Sequence, residues 1–305
     1  IYRTPLTFSY KDYNFISFAP PSSGGIILAQ ILNMIAPYNL SSKTIFSPDA
    51  VQLIIEAERR AFADRATYLG DPDFYKVPVK ELIDPTYCHK RMADFIPNKA
   101  GNSQDIKSGT INESEQTTHL CIKDVEGNVL AITTTLNDGY GSKTVVSGAG
   151  FILNNEMDDF SAQAGVPNMY GAIGGEANKI GPNKRMLSSM TPTIVLKNSS
   201  FYLTAGTPGG TTIPTTVLQV ILNVIDFNLS MEEAINSPRF HHQWFPDVVL
   251  TESKFNAETV KALKDMGYKI IQRKAIGRAE GILISSKGFE TVADIRGDDS
   301  VAGYE

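Results

Sequence analysis

Hydrophobic positions recur with two different periods along this chain, and the period changes near residue 117. From Val51 to Phe62 apolar residues recur at helical spacing behind Ser47-Pro48, where serine suits the N-cap and proline suits the first helical position. Asp84-Pro85 repeats this start pattern and predicts a second helix. We therefore predict that the first third of the chain is mostly helical.

The stretch from 97 to 116 is polar and shows no periodicity. It contains Pro97, Gly101 and Gly109, and loops of this length are usually functional or disordered. At Thr117 a strand-like run begins, and a turn at 126–128 (Glu-Gly-Asn) predicts that it forms a hairpin with the apolar run after it.

The remaining sequence alternates between hairpin and helix patterns. We predict a second hairpin over 193–203, a helix over 214–227, a helix after a Ser230/Glu233 capping box, a helix over 256–266 closed by Gly267, and strands near 268–272, 280–286 and 290–295. Hairpins interleaved with helices indicate a layered α+β fold.

Composition narrows the class of protein. The chain has 305 residues, is 42% hydrophobic and 20% charged, and carries a net charge of −5 without a block of like charges, which is typical of a soluble globular protein and disfavours nucleic-acid binding. No apolar run is long enough to predict a membrane span. Cys88 and Cys121 are predicted to be buried free thiols, although a single bridge between them stays open.

Thr117-Thr118-His119 lies where the polar loop meets the strand pattern. A chain that cuts itself before Thr117 would expose an N-terminal threonine, whose own α-amine can serve as a base for its hydroxyl. From these residues alone the alternative stays open, because Thr-Thr also begins strands for its β-propensity.

Several short blocks of sequence favour the self-cleaving interpretation over the simple strand start. They are Pro20-Pro21-Ser22-Ser23-Gly24-Gly25, Ala63-Asp64-Arg65 with 68–74, Thr135-Leu136-Asn137, 153–160, 182–190, Gly206-Thr207-Pro208-Gly209-Gly210 and 238–244. In this order and spacing the chain closely resembles γ-glutamyltranspeptidase, an N-terminal-nucleophile hydrolase. The resemblance covers essentially the whole chain.

The resemblance implies an αββα four-layer sandwich, with two antiparallel sheets between helical layers, that is incomplete at its N-terminus. Residues 1–116 would be the C-terminal part of the large subunit, ending in the processing loop, and 117–305 the small catalytic subunit. Roughly half of the large subunit would precede Ile1 and would carry any export signal, so the expected location is the periplasm or the cell exterior.

The resemblance also assigns the chemistry. The chain would be cut between Gln116 and Thr117, and Thr117 would then be the nucleophile. Thr135 would orient the Thr117 hydroxyl, a choice among Thr133, Thr134 and Thr135 that the residues alone do not make. Gly209 and Gly210 would form the oxyanion hole, whereas by composition alone they would be a tight turn.

The resemblance also implies which residues would recognise the substrate. Asn137, Glu156 and Asp159 would hold the α-amine of a γ-glutamyl group, and Ser188 and Ser189 would hold its α-carboxylate, together with an arginine from the absent segment. Without the resemblance, 156–159 would be a solvated acidic turn or a weak calcium site, although its oxygen spacing does not suit calcium.

Three further features have two interpretations each. Tyr170, in a glycine-rich stretch, would be a lid residue over the site or a tyrosine packed on the surface. His241 and His242 are expected to be structural rather than metal-binding or catalytic, since neighbours on a helix do not share a face. Residues 22–25 are expected to form an N-cap turn rather than an anion site.

The predicted function is γ-glutamyl transfer or hydrolysis of glutathione-like compounds, with water or an amino acid as acceptor and without a metal or cofactor. One alternative is a poly-γ-glutamate-processing or cephalosporin-acylase relative. The other is an inactive scaffold, truncated or unprocessed, that binds without turnover.

Overall fold

A computed structural model describes residues 1–105, 117–161, 163, 173–286 and 288–304. Its strands are β1 (Leu6–Tyr10), β2 (Tyr13–Ser17), β3 (Thr117–Lys123), β4 (Val129–Thr135), β5 (Val145–Val146), β6 (Phe151–Ile152), β7 (Thr193–Lys197), β8 (Ser200–Gly206), β9 (Phe240–His241), β10 (Val249–Glu252), β11 (Ile270–Arg273), β12 (Glu280–Ser285) and β13 (Gly288–Ala293). Its α-helices are α1 (Gly24–Ile35), α2 (Pro48–Tyr68), α3 (Val79–Leu82), α4 (Pro85–Arg91), α5 (Thr212–Ile225), α6 (Met231–Asn236) and α7 (Ala257–Asp265). Short 3₁₀ turns lie at Ala36–Tyr38, Leu40–Ser42, Glu156–Asp159 and Glu176–Asn178.

The largest sheet has six antiparallel strands in the order β1-β2-β7-β8-β12-β13. Strands from both sides of position 116 therefore belong to one sheet. A smaller sheet has the order β11-β10-β9, in which β10 and β11 are parallel.

One face of the six-stranded sheet is covered by helices. Phe15 of β2, Val195 of β7 and Leu203 and Ala205 of β8 are fully buried in a single hydrophobic core with apolar side chains of α1, α2 and α5. These strand residues alternate with residues that point the other way, so the period of two predicted for the strands determines which side chains reach the core.

The opposite face is covered by the β3–β4 hairpin. Thr204 and Gly206 of β8 point to this side, where the Thr204 hydroxyl lies 3.6 Å from the Cys121 sulfur and a Cβ on Gly206 would overlap the His119 ring. The outer face of the hairpin carries four exposed apolar side chains, Leu120, Ile122, Leu130 and Ile132. Helices, the large sheet and this hairpin form successive layers of the α+β fold.

Most of the predicted element starts are confirmed. α2 begins at Pro48 and α4 at Pro85, where the Asp84 side chain accepts a hydrogen bond from the Tyr87 amide. Both hydrogen bonds of the Ser230/Glu233 capping box are present. The helix expected from 214 begins two residues earlier, at Thr212.

The first third of the chain is less helical than its sequence predicts, because β1 and β2 form a hairpin there. Leu6, Phe8 and Tyr10 alternate with polar residues, and Lys11 at the turn has a φ of 51°. The helical stripe after Ser47 is much longer than this five-residue alternation and dominates the pattern of the first third.

Cys88 is a buried free thiol and Cys121 a partly buried one, so no bridge joins them. Among the helices that the structure describes, none is both long and apolar enough to cross a membrane.

Candidate active site

A cleft opens where the start of β3, the end of β4, the Glu156–Asp159 turn and the start of α5 meet. Its walls combine residues that are far apart in the sequence. They are Arg65, Thr117, Thr135, Asn137, Glu156, Asp159, Ser188, Ser189, Met190, Gly210, Thr211 and Ile213.

Thr117 and Thr135 are paired across the β3–β4 hairpin, and the Thr117 hydroxyl donates to the Thr135 hydroxyl oxygen at 3.2 Å. The backbone N–H of Asn137 also donates to this oxygen, at 2.8 Å. The two neighbouring threonines are directed elsewhere: the Thr133 hydroxyl lies 2.8 Å from His119 Nδ1, and Thr134 is exposed. The register of the hairpin therefore selects Thr135 as the partner of Thr117.

The acidic wall of the cleft is the 3₁₀ turn Glu156–Asp159. Burial raises the pKa of the Glu156 carboxyl to about 7. Burial also raises the pKa of the Asp159 carboxyl to about 7, with a further rise from Glu156, while the charge of Arg65 acts in the opposite direction. Two carboxyls held together in this way favour a cation between them, because a nearby positive charge stabilises their ionised forms.

Asn137 lies beside this turn. Its side-chain Nδ2 donates to the Asn155 carbonyl at 3.2 Å, which fixes the orientation of the amide. An amide oxygen is a hydrogen-bond acceptor, so this side chain suits an ammonium group in the cleft.

The wall formed by Ser188 and Ser189 is held by the segment before α1. The Ser188 amide donates to the Pro21 carbonyl at 3.0 Å, and the Ser188 carbonyl accepts from the Ser23 amide and hydroxyl, both at 2.8 Å. Ser23 is the N-cap of α1, but its hydroxyl makes this contact instead of a capping bond. The turn expected over 22–25 is therefore present, and its hydroxyls support the loop that carries the two serines.

Gly209 and Gly210 form the turn into α5, with φ of +139° and +55°. Their carbonyls accept from the Thr212 and Ile213 amides, while neither glycine donates its own N–H to another group in the described part of the chain. Gly210 lines the cleft and Gly209 directly precedes it. A pair of such amides at the cleft suits a developing negative charge on oxygen.

Two residues predicted at this site, Gln116 and Tyr170, lie outside the described residues. His241 and His242 are buried elsewhere, in hydrogen bonds to Thr215 and Asp247 respectively. Within the described ranges, no group of three or more His, Cys, Asp or Glu side chains could hold a metal ion.

Sequence reasoning missed several residues of the cleft: Arg65, Met190, Thr211 and Ile213. Arg65 stands in a quoted block, but nothing local separates it from Arg59 and Arg60 on the same helix. The Thr211 hydroxyl donates to Gln243 at 2.5 Å, a contact between residues 32 positions apart that no local pattern indicates.

The chain matches a known protein family and several curated proteins. The family model described as Gamma-glutamyltranspeptidase matches residues 1–304. The chain is 47% identical to the glutathione hydrolase proenzyme of Escherichia coli K12, over 99% of this chain and 53% of that protein. It is 37% identical to the acylase ACY 1 proenzyme of Pseudomonas sp. SE83, over 95% of this chain and 50% of that protein. The chain thus spans about half the length of the curated relatives it matches.

Solved structures give the same result for the fold. A mutant of Helicobacter pylori γ-glutamyltranspeptidase superposes with a TM-score of 0.57 at 49% identity, covering 59% of this chain and 100% of that one. The cephalosporin acylase of Bacillus halodurans superposes with a TM-score of 0.80 at 25% identity, covering 99% of this chain and 53% of that one.

Proposed function

Because the chain belongs to the γ-glutamyltranspeptidase family, we propose that it carries the catalytic centre of an enzyme that hydrolyses or transfers the γ-glutamyl group of glutathione-like donors. The observation that carries the proposal is the 3.2 Å hydrogen bond from Thr117 to Thr135, in one cleft with an acidic pair and a serine pair. Water or an amino acid is the acceptor.

The nucleophile is first released from the chain. The Thr117 hydroxyl attacks the carbonyl of Gln116, the acyl group shifts from nitrogen to oxygen, and water hydrolyses the resulting ester. The cut frees the α-amine of Thr117, with an ordinary pKa of about 7.7–8.0, so that it can take the hydroxyl proton near neutral pH. Residues 1–116 are then the C-terminal part of a large subunit and 117–305 the small subunit.

In turnover the Thr117 oxygen attacks the donor's γ-carbonyl, and the Gly209 and Gly210 amides stabilise the oxyanion. The leaving amine takes the proton held by the Thr117 α-amine, and a γ-glutamyl ester remains on Thr117. Water or an amino-acid amine then attacks this ester and restores the hydroxyl. Thr135 keeps the Thr117 hydroxyl in one orientation, since its own oxygen is also fixed by the Asn137 amide.

The donor's α-amino-acid end lies between the two polar walls. Asn137, Glu156 and Asp159 accept hydrogen bonds from the α-ammonium, and Ser188 and Ser189 donate to the α-carboxylate.

An upstream segment completes the protein. It supplies an arginine to the α-carboxylate and covers the outer face of the β3–β4 hairpin, where Leu120, Ile122, Leu130 and Ile132 are exposed. Contiguous apolar surface of this kind marks a contact site. The mature protein works in the periplasm or outside the cell.

The cephalosporin acylase of Bacillus halodurans, which has a similar fold, supports cephalosporin acylase activity as a second candidate function. The acidic wall supports the first of the two functions, because a γ-glutamyl group has an α-ammonium that carboxylates can bind. A cleft with Glu156 and Asp159 opposite two serines favours the γ-glutamyl donor.

The test is an assay with γ-glutamyl p-nitroanilide on the longest natural polypeptide that contains these residues, and on residues 1–305 alone. We expect p-nitroaniline release and two fragments, the smaller beginning at Thr117, from the longer protein. The 305 residues alone should show little release even when cut, because a bidentate arginine–carboxylate pair is among the stronger polar contacts. Equal kcat/KM for both proteins would contradict the proposed contribution of the upstream segment.

The pH dependence of donor binding should follow the acidic wall. The raised pKa of about 7 means that the Glu156 and Asp159 carboxyls keep their protons until the pH approaches 7, so they attract an ammonium only above it. The kcat/KM for γ-glutamyl p-nitroanilide, divided by that for glutaryl p-nitroanilide, should fall about tenfold for each pH unit below about 7. The ratio removes the titration of the Thr117 α-amine, which affects both donors. A ratio that stays flat across this range would exclude the two carboxyls from ammonium binding.

A further inference from the structure

Arg65 lies in the last turn of α2 and reaches the wall of the cleft that carries the two serines. Its side chain is buried, with 4% of the residue exposed, and lines the cleft. Its Nε donates to the Ser23 hydroxyl oxygen at 3.1 Å and its Nη2 donates to the Ser189 hydroxyl oxygen at 3.3 Å.

We propose that Arg65 is a positioning residue for the donor's α-carboxylate, which it serves by orienting the Ser189 hydroxyl and by placing a buried positive charge behind it. The inference rests on the proposed γ-glutamyl activity and names a residue on this chain that determines the donor's chemical class.

The orientation follows from the hydrogen-bonding capacity of the two groups. A guanidinium has only donors, so the Ser189 oxygen must accept from Arg65. A hydroxyl has a single hydrogen to donate, and no described residue accepts it from Ser189. The Ser188 hydroxyl oxygen likewise accepts from the Met190 amide, at 3.0 Å. Both serines therefore keep their O–H groups for a carboxylate in the cleft.

The same guanidinium also holds the backbone that carries the serines. Arg65 donates to the Ser23 hydroxyl, and this hydroxyl donates to the Ser188 carbonyl at 2.8 Å. One side chain thus connects α2 to both serine positions, directly at Ser189 and through Ser23 at Ser188.

The charge of Arg65 is the second observation. Three other buried arginines each form an ion pair: Arg59 with Asp247, Arg60 with Glu56 and Arg239 with Asp294. Arg65 forms none with a carboxylate of the described chain, where its hydrogen bonds go to Ser23 and Ser189, and Asp159 acts on it only as a nearby charge. Burial lowers the pKa of Arg65 to about 10, so it is still charged near neutral pH.

A buried cation without an ion-pair partner is costly unless another charge approaches it. A substrate carboxylate between Ser188 and Ser189 would be such a charge. The acidic turn with Asp159 lies in the same cleft, so the arrangement has one positive and one negative side. This matches an α-amino-acid head, whose ammonium and carboxylate are attached to one carbon.

The test compares three anilides in the longest natural polypeptide. γ-Glutamyl p-nitroanilide has both charged groups, glutaryl p-nitroanilide has only the carboxylate, and 4-aminobutyryl p-nitroanilide has only the ammonium. Arg65→Gln should lower kcat/KM about 10- to 100-fold for the two donors with a carboxylate, mainly through KM. It should change the third donor by no more than about threefold. Arg65→Lys keeps the charge without the planar fork and should give an intermediate loss with the same selectivity.

Arg185→Gln is the matched control. Arg185 is on the same segment as Ser189, but its guanidinium bonds Asp73 and does not line the cleft, so all three donors should be unaffected. Cleavage before Thr117 and the melting temperature report whether each variant folds. If Arg65→Gln does not fold, Arg65→Lys carries the comparison.

An equal loss on all three donors, or no loss on any, would overturn the role of Arg65. Failure of the proposed function would look different: the unaltered protein would then not prefer γ-glutamyl p-nitroanilide to the other two donors. The two failures are distinguishable, because failure of the Arg65 role is seen only in the variants, whereas failure of the proposed function is seen in the unaltered protein.

Discussion

Replacement of Thr117 with alanine is expected to leave the 116–117 bond intact and to lower turnover of γ-glutamyl p-nitroanilide by about 10⁴-fold or more. The reason is that one hydroxyl performs both reactions: it attacks the preceding carbonyl during the cut and the donor's γ-carbonyl afterwards. Its orientation is fixed by Thr135, at 3.2 Å. Denaturing electrophoresis and intact mass would show a single uncut chain in place of two fragments.

Thr118→Ala is the matched control for this prediction. Thr118 is the next residue of β3, but it is exposed on the outer side of the hairpin, away from the cleft. This variant should still be cut and should still turn over the donor. If Thr117→Ala is cut between 116 and 117 while proteases are excluded, another group performs the cleavage and the proposed nucleophile is wrong.

Asp159→Ala is expected to raise KM for γ-glutamyl donors about 30-fold or more while leaving cleavage before Thr117 intact. Asp159 is proposed to contact the α-ammonium of the donor and not the scissile peptide. Loss of one partner of a buried charge pair costs about 2–5 kcal/mol, mainly because the other charge is left without compensation. Steady-state kinetics with γ-glutamyl p-nitroanilide measure the change, and the mass of the fragments reports the cut.

Two comparisons make this result specific. Asp158→Ala removes the neighbouring carboxyl, which is exposed and does not line the cleft, and it should leave KM unchanged. Glutaryl p-nitroanilide has no ammonium, so Asp159→Ala should affect it far less than the γ-glutamyl donor. An unchanged KM for γ-glutamyl p-nitroanilide would assign Asp159 to the structure of the turn.

The predicted helices and hairpins were accurate where the signal is local. Asp84 and Ser230 begin helices because each side chain accepts the backbone N–H three residues further on, which the sequence displays directly. The β1–β2 hairpin was missed although its alternation is visible, because five-residue strands give a weaker periodic pattern than a 21-residue helix.

At the site, the sequence and the tertiary structure contribute different information. Thr117, Asp159 and the serine pair were named from blocks of sequence that resemble a family, and the fold brings them into one cleft. The choice of Thr135 over its two neighbours needed either that resemblance or the hairpin register, because three consecutive threonines have the same composition and differ only in the face to which they point.

By itself, the sequence determined most of the helix starts, the absence of a long apolar run and the candidate nucleophile at the end of a polar loop. Only the tertiary structure decided that Arg65 donates to Ser189, 124 positions away, and that its buried charge has no ion-pair partner among the described residues. The physical reason is distance along the chain. Capping and periodicity depend on residues within a few positions of each other, whereas the environment of a buried guanidinium depends on how α2 and the Ser188–Ser189 segment pack together. That packing is fixed by the whole core.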